Sequence, residues 1–212
     1  NSISFLAVLA ALFLMGQVHQ DVNKAGGISL KSMGDGVRFI FSKPLILSTM
    51  LMDFIATFFA SANTMLPIVA RDILSVGKSG YSWLVSAQAI GSVLAGMVVS
   101  QIRELRRQGP LFIASVTLFG LATVWFGLSR TFIPAMVALL LIGASDAVST
   151  VIRNTIRQLQ TPDHIRGRMT SVNQLFFLGG PQLGEVEAGL VASLFGVPFA
   201  IVSGGIGCIA GM

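Results

Sequence analysis

Four carboxylates lie inside long apolar stretches of the sequence, where an ionised side chain is costly. They are Asp53, Asp146, Glu185 and Glu187. A charge at the middle of a membrane costs roughly 2.5–3.5 kcal/mol on insertion scales, so such residues usually bind or move a substrate, an ion or a proton. Reversible protonation or ligand binding within a membrane is therefore the candidate chemistry of this chain.

Asp53 belongs to a polar stripe within an otherwise apolar segment. Its members recur every three or four residues and so share one helix face: Thr49, Asp53, Thr57, Ser61 and Thr64. A polar stripe along an apolar helix is typical of a helix that faces a water-filled cavity. Hydrogen bonding between neighbouring helices is the alternative interpretation of the stripe.

The other three carboxylates have less definite settings. Asp146 is followed by Thr150 and Arg153 on nearly the same helix face, so it either pairs with Arg153 as a structural latch or binds substrate or a proton. Glu185 and Glu187 are two residues apart and cannot share one face; one of them can reach the interface harmlessly. Uncharged side chains that could line a cavity are Asn63, Gln88, Asn173 and Gln174.

Other kinds of chemistry find little support in the residues. His19 and His164 have no second ligand at metal spacing. The single Cys208 cannot form a disulfide within the chain. The glycines at 205 and 207 match a dinucleotide-binding pattern by letter only, because no soluble strand precedes them. We therefore expect no metal, no cofactor and no enzymatic activity.

The composition places these residues in a membrane. Of 212 residues, 53% are hydrophobic and 11% charged, against about 25% charged in a soluble domain. A membrane helix needs about 20 mostly apolar residues, and helix is the expected form because lipid offers no partner to open backbone groups. Five full spans are predicted, at 44–70, 80–102, 110–129, 131–152 and 169–194, with partial spans at 2–16 and 197–212.

The segments between the spans predict the orientation. Residues 17–43, 103–109 and 153–168 share one side and carry 11 of the 14 basic residues, whereas 71–79 and Arg130 carry the other 3. The positive-inside rule makes the first side cytoplasmic. This asymmetry explains the net charge of +5 without nucleic acid as a partner. Within 17–43, a loop followed by an interfacial helix is expected, with a solvated linker as the alternative.

Small residues recur at four-residue spacing within the predicted spans. This spacing puts them on one helix face and lets helix backbones approach closely. The sets are Ala87, Gly91 and Ala95; Gly143 and Ala147; Gly180, Gly184 and Ala188; and Gly207 and Gly211. We expect these faces to pack a multi-helix bundle.

A resemblance is carried by the polar stretch from Arg153 to Arg168, which reads RNTIRQLQTPDHIRGR, and by GGPQLGEVEAG from Gly179 to Gly189. Both resemble the tenth-to-eleventh helix region of major facilitator superfamily transporters, in the branch of enterobactin exporters and transmembrane secretion effectors. The start of the span at Gly80, with Tyr81 and Trp83, is similar to an eighth helix of that superfamily. The basic motif expected after that helix is degenerate, with Ser100 where an acid is expected.

The resemblance implies an all-α integral membrane protein, the C-terminal six-helix half of a twelve-helix fold. Residues 1–16 would end helix six, 17–43 would form the central cytoplasmic loop, and 44–212 would hold helices seven to twelve, the last one truncated. The chain would be an internal fragment that works with an N-terminal half of the same protein, in the bacterial inner membrane.

The implied activity is alternating access, with proton-coupled efflux of a small molecule such as a siderophore or drug. The residues expected to bind substrate or protons are Asp53, Thr57, Asn63, Gln88, Asp146, Gln174 and Glu185, and those expected in the cytoplasmic gating loop are Arg153, Arg157, Asp163, Arg166 and Arg168. A passive pore and a structural membrane subunit that transports nothing are the alternatives.

Overall fold

The computed structural model describes residue 11 and residues 30–59, 62–102 and 108–212. These residues are helical almost throughout and contain no strand, which confirms the all-α prediction. Seven helices of more than ten residues follow one another: α1 (Leu30–Ser42), α2 (Pro44–Phe59), α3 (Lys78–Ser100), α4 (Gln108–Leu128), α5 (Phe132–Gln160), α6 (Asp163–Phe195) and α7 (Val197–Ala210). The predicted end of a helix at 1–16 lies outside the described residues, apart from residue 11.

Helix α1 ends at Ser42, and α2 begins after a single intervening residue, Lys43. Pro44 has no N–H to continue α1 and is well suited to the first position of α2. Ile40 is buried while Arg38 is exposed, so α1 has an apolar and a polar side. This helix packs on α6 and α2. Its location at the membrane interface stays a prediction.

The predicted span 44–70 is helical but not uniform. Beyond α2, the chain forms a 3-10 turn at Ala62–Met65, a short α-helical turn at Leu66–Ile68 and a π-helical turn at Val69–Ile73. Pro67 lies within this segment and cannot donate a backbone hydrogen bond, which favours such departures from regular helix. The π-turn is closed by the Leu74 N–H, which donates to the Val69 carbonyl at 2.9 Å.

Three of the described helices are long and apolar enough to cross a membrane, namely α3, α4 and α5. Helices α2 and α7 are apolar but shorter. Helix α6 has ample length at 33 residues, but it contains Pro181 and several polar and acidic side chains that lower its apolarity. Of the five predicted spans, those at 80–102, 110–129 and 131–152 thus meet both criteria.

The helices pack as a bundle through contacts both between sequence neighbours and between helices distant in sequence. The most extensive contacts join α3 with α5, α4 with α7, and α4 with α5, and a second set joins α2 with α6 and α7. The largest apolar cluster lies among α3, α4, α5 and α7 and includes Leu84, Phe126, Leu139 and Ile201. This arrangement leaves α2, α5 and α6 to form the walls of the polar site.

Glycines set the closest helix contacts. A β-carbon at Gly91 of α3 would overlap the Leu140 carbonyl oxygen, and one at Gly143 of α5 would overlap the Gln88 carbonyl oxygen. The Ser92 hydroxyl donates to the Gly143 carbonyl across this contact at 3.0 Å. Gly184 of α6 meets the Phe58 carbonyl of α2 in the same way. The prediction that the small-residue faces serve packing is confirmed at these positions.

Replacing Gly91 with alanine is expected to lower the stability of the bundle by roughly 1–3 kcal/mol, because the new methyl group meets rigid backbone rather than a flexible side chain. The matched control is Gly96→Ala on the same helix, where a β-carbon would have no neighbour within 4 Å. Alanine there should leave stability unchanged or slightly higher. Thermal unfolding of the full-length protein in detergent compares the two, and equal midpoints would contradict the assigned contact.

Candidate functional site

A polar cavity of about 320 Å³ opens between the middle of α2, the C-terminal part of α5 and the N-terminal part of α6. Most of its side chains carry a hydrogen-bonding group. The lining residues are Asp53, Thr150, Arg153, Asn154, Arg157, Gln158, Thr161, Met169, Thr170, Asn173, Gln174 and Phe177. Such a surface is suited to water or a polar ligand.

An ion pair between α2 and α5 forms one wall of the cavity. The Arg153 Nη1 contacts the Asp53 carboxylate. Both side chains are nearly buried, with 6% of the Arg153 side chain and 14% of the Asp53 side chain exposed. The Arg153 Nη2 also donates to the Thr150 hydroxyl at 2.7 Å, one turn earlier on α5. The guanidinium is thus held by its own helix and aimed at the neighbouring one.

A buried pair of this kind is poorly explained as a stabilising feature alone. Taking two charges out of water costs several kcal/mol per ion, and their attraction often only offsets that cost. Removing either charge leaves the other buried without a partner, which costs about 3–5 kcal/mol. The contact between α2 and α5 therefore depends strongly on the charge state of Asp53.

A second guanidinium, that of Arg157, lies one turn further along α5. Its Nε donates to the Arg153 carbonyl at 3.3 Å, and its Nη2 donates to the Asn154 side-chain carbonyl. Both of these acceptors are neutral, and among the described residues no carboxylate contacts Arg157. The described lining therefore contains two guanidinium groups and one carboxylate.

The remaining wall is formed where α5 turns into α6. The buried Thr161 hydroxyl donates to the Met169 sulfur at 2.8 Å, which ties the end of α5 to the second turn of α6. Asn173, Gln174 and Phe177 follow on α6 and present two amides and an aromatic ring to the cavity. The two amides can donate and accept hydrogen bonds, and the aromatic ring can stack on a planar group. Together they could orient a polar ligand that also has an apolar part.

The structure brings together only part of the predicted site. Asp53, Arg153, Arg157 and Gln174 line the cavity, and Asn173 does so too. The side chains of Asn63, Asp163, Arg166 and Arg168 lie outside the part of the structure whose side chains are described.

Three uncharged or acidic candidates lie elsewhere in the bundle. The Thr57 hydroxyl donates to the Asp53 backbone carbonyl at 2.8 Å and packs against Gly180, so it serves the α2–α6 contact. Gln88 lies at the close contact between α3 and α5. Glu185 is exposed and does not line the cavity. Their role in substrate or proton binding stays a prediction without support from the cavity.

Asp146 also lies outside the cavity, and its predicted latch with Arg153 does not form. Its residue is exposed, and among the described residues it has neither an ion pair nor a hydrogen bond. Two turns of helix separate Asp146 from Arg153, about 10 Å along the axis. Helix α2 brings the Asp53 carboxylate much closer, so Arg153 pairs with Asp53 instead.

Several lining residues were not singled out from the sequence, namely Asn154, Gln158, Thr161 and Thr170. A signal for the α5 members was present. Thr150, Asn154, Arg157, Gln158 and Thr161 recur at spacings of three and four, which is the same kind of polar stripe that identified Asp53. The described residues contain no cluster of histidine, cysteine or acidic side chains able to hold a metal ion.

Comparison with known proteins gives two findings. The model of the transmembrane secretion effector family matches residues 1–212. Proteins named Enterobactin exporter EntS, from Escherichia coli strain E24377A and from Shigella boydii serotype 18, are each 28% identical to the chain over 176 residues. Each match covers 82% of this chain and 42% of the relative, so the chain matches less than half the length of these exporters.

Proposed function

This chain belongs to the transmembrane secretion effector family of the major facilitator superfamily, and we propose that it forms one half of a proton-coupled exporter working by alternating access. It is an integral membrane protein of a transporter family. The proposed cargo is a small molecule of the kind that its relatives are named for, a siderophore such as enterobactin. The other half of the same protein would complete the substrate path.

The observation that supports this proposal most strongly is the ion pair between Asp53 and Arg153 at the cavity wall. A single proton at this pair would alter the contact between α2 and α5. A proton on Asp53 removes the negative charge and leaves the Arg153 guanidinium buried without a counter-ion. The conformation described here then loses about 3–5 kcal/mol relative to one in which Arg153 reaches water.

This difference is large enough to act as a switch. A ligand shifts a two-state equilibrium only by its differential affinity for the two states, and about 5.5 kcal/mol takes a population from 1:99 to 99:1. Protonation of Asp53 would thus move most molecules out of the paired conformation. Deprotonation would restore the pair and reset the transporter.

The proton supplies energy as well as a signal. One proton that enters along a membrane potential of ~100 mV contributes roughly 2.3 kcal/mol. In the proposed cycle, Asp53 takes up a proton from the outside and releases it to the cytoplasm, and the substrate leaves in the opposite conformational step. The cytoplasmic placement of segments 17–43, 103–109 and 153–168 belongs to this proposal and follows from their basic residues.

The test is secretion by a bacterium that makes enterobactin but lacks its own exporter. Expression of the full-length protein should restore release of enterobactin against its concentration gradient, and a protonophore should abolish that release. A passive pore would leave downhill release insensitive to the protonophore and would never give uphill release. A structural subunit would leave secretion as low as in the host strain. Either of these results would overturn the proposal.

A further inference from the structure

A second cavity, apolar and separate from the polar site, lies on the outside of the bundle between α3 and α5. It measures about 320 Å³ and is lined by Trp83, Ala87, Ile90, Phe132, Met136 and Leu140. All six side chains are apolar. We call this cavity the α3–α5 furrow, and we propose that it binds an acyl chain of an anionic phospholipid whose headgroup lies at its charged mouth.

The direction of the two helices defines the mouth. Residues from the first four turns of α3 face residues from the first three turns of α5, so the helices run parallel and begin at the same end. Lys78 is the first residue of α3, and Arg130 comes two residues before α5. Both are exposed. The furrow therefore starts beside two cations and continues about 12 Å along the helices, at 1.5 Å per residue.

No acidic side chain of the adjoining segments offsets these two cations. The acid nearest to them along the chain is Asp72, which pairs with its neighbour Arg71 at 3.6 Å. Tyr81 and Trp83 lie just inside the mouth and are exposed, Trp83 by 59%. Aromatic rings of this kind are typical of the level of lipid headgroups. From the mouth inwards, the order is two cations, two aromatic rings and the apolar furrow. A phospholipid has the matching order of charged headgroup, interfacial region and acyl chain.

The size of the furrow favours a single chain over a protein helix. A helix with its side chains is about 10–12 Å across, so it could cover a cavity of this volume but not enter it. The other half of the proposed transporter could cover the furrow only as a lid over an apolar void. An acyl chain fills it, and Lys78 and Arg130 favour a headgroup with net negative charge.

Quenching of tryptophan fluorescence by brominated lipid tests the proposal. The full-length protein and its Trp83→Phe variant are placed in vesicles that contain either brominated phosphatidylglycerol or brominated phosphatidylcholine with the same acyl chains. The difference between the two proteins isolates the signal of Trp83. We expect phosphatidylglycerol to occupy the furrow in preference by about fivefold for each cation, and Lys78→Gln with Arg130→Gln to abolish the preference.

Each other outcome contradicts the proposal. Equal quenching by both lipids means ordinary contact with bulk lipid. The absence of quenching by either lipid means that another part of the protein covers the furrow. If the preference for phosphatidylglycerol survives in the variant lacking both cations, Lys78 and Arg130 do not select the lipid by the charge of its headgroup. None of these outcomes depends on the direction or coupling of transport, so this site and the proposed function fail or stand separately.

Discussion

Replacement of Arg153 with glutamine should destabilise the described conformation by about 3–5 kcal/mol and reduce efflux more than about tenfold, because it leaves the Asp53 carboxylate at the cavity wall without its counter-ion. Unfolding of the full-length protein in detergent measures the loss of stability. Secretion by intact cells measures the loss of efflux. Both should fall together, since the pair joins α2 to α5 at the site itself.

Two further variants separate the ion pair from other effects of changing Arg153. Addition of Asp53→Asn to Arg153→Gln removes the orphaned charge, so the double variant should be more stable than the sum of the single losses predicts. Arg157→Gln is the matched control one turn away. Among the described residues Arg157 is hydrogen-bonded only to neutral acceptors, so its loss should cost much less. Equal losses of stability in Arg153→Gln and Arg157→Gln, together with additive effects of Asp53→Asn and Arg153→Gln, would contradict the ion pair.

Replacement of Asp53 with asparagine should abolish uphill transport while leaving the protein in the membrane. Asparagine has the shape of aspartate but carries no titratable proton, so the variant stays in the state that a protonated Asp53 favours. One proton per cycle at ~100 mV can support a concentration ratio of about fiftyfold for a neutral substrate, from roughly 2.3 kcal/mol. The ratio reached by the variant should fall towards one, as measured by substrate accumulation in vesicles with an imposed potential and pH gradient.

The control for this variant is Glu185→Gln. Glu185 is also a carboxylate within an apolar segment, but its residue is exposed and lies outside the cavity. Its loss should leave the accumulated ratio near that of the unmodified protein. If Asp53→Asn retains the full substrate concentration ratio, Asp53 does not couple proton entry to substrate transport, whatever the results for the other variants.

The sequence predicted individual residues of this site better than it predicted which of them form a pair. Asp53 was identifiable because helical spacing places it with Thr49 and Thr57, which is a local property. Its partner was not identifiable in the same way. Arg153 lies 100 positions later, and the two meet only because α2 packs beside the C-terminal part of α5. Spacing within α5 instead suggested Asp146, which the packing leaves outside the cavity.

The apolar parts of the bundle were more predictable than its polar ones. Four-residue spacing of small residues correctly indicated close contacts at Gly91, Gly143 and Gly184, because a missing side chain is useful only where another backbone approaches. The same rule could not tell which helix approaches. Spans were predicted from apolarity alone, and α6 departs from the expectation because its polar residues serve the cavity, with Asn173 and Gln174 among its lining side chains.

The distance between α2 and α5 with and without the charge on Asp53 tests the central claim most directly, namely that loss of this charge opens the contact with Arg153. Spin labels at Ser48→Cys on α2 and Leu159→Cys on α5, both exposed residues, report this distance in the full-length protein with Cys208 and any other cysteine replaced. The account predicts a longer distance in Asp53→Asn than in the unmodified protein at the same pH, because the neutral side chain no longer pairs with Arg153. An equal distance in the two proteins would contradict it.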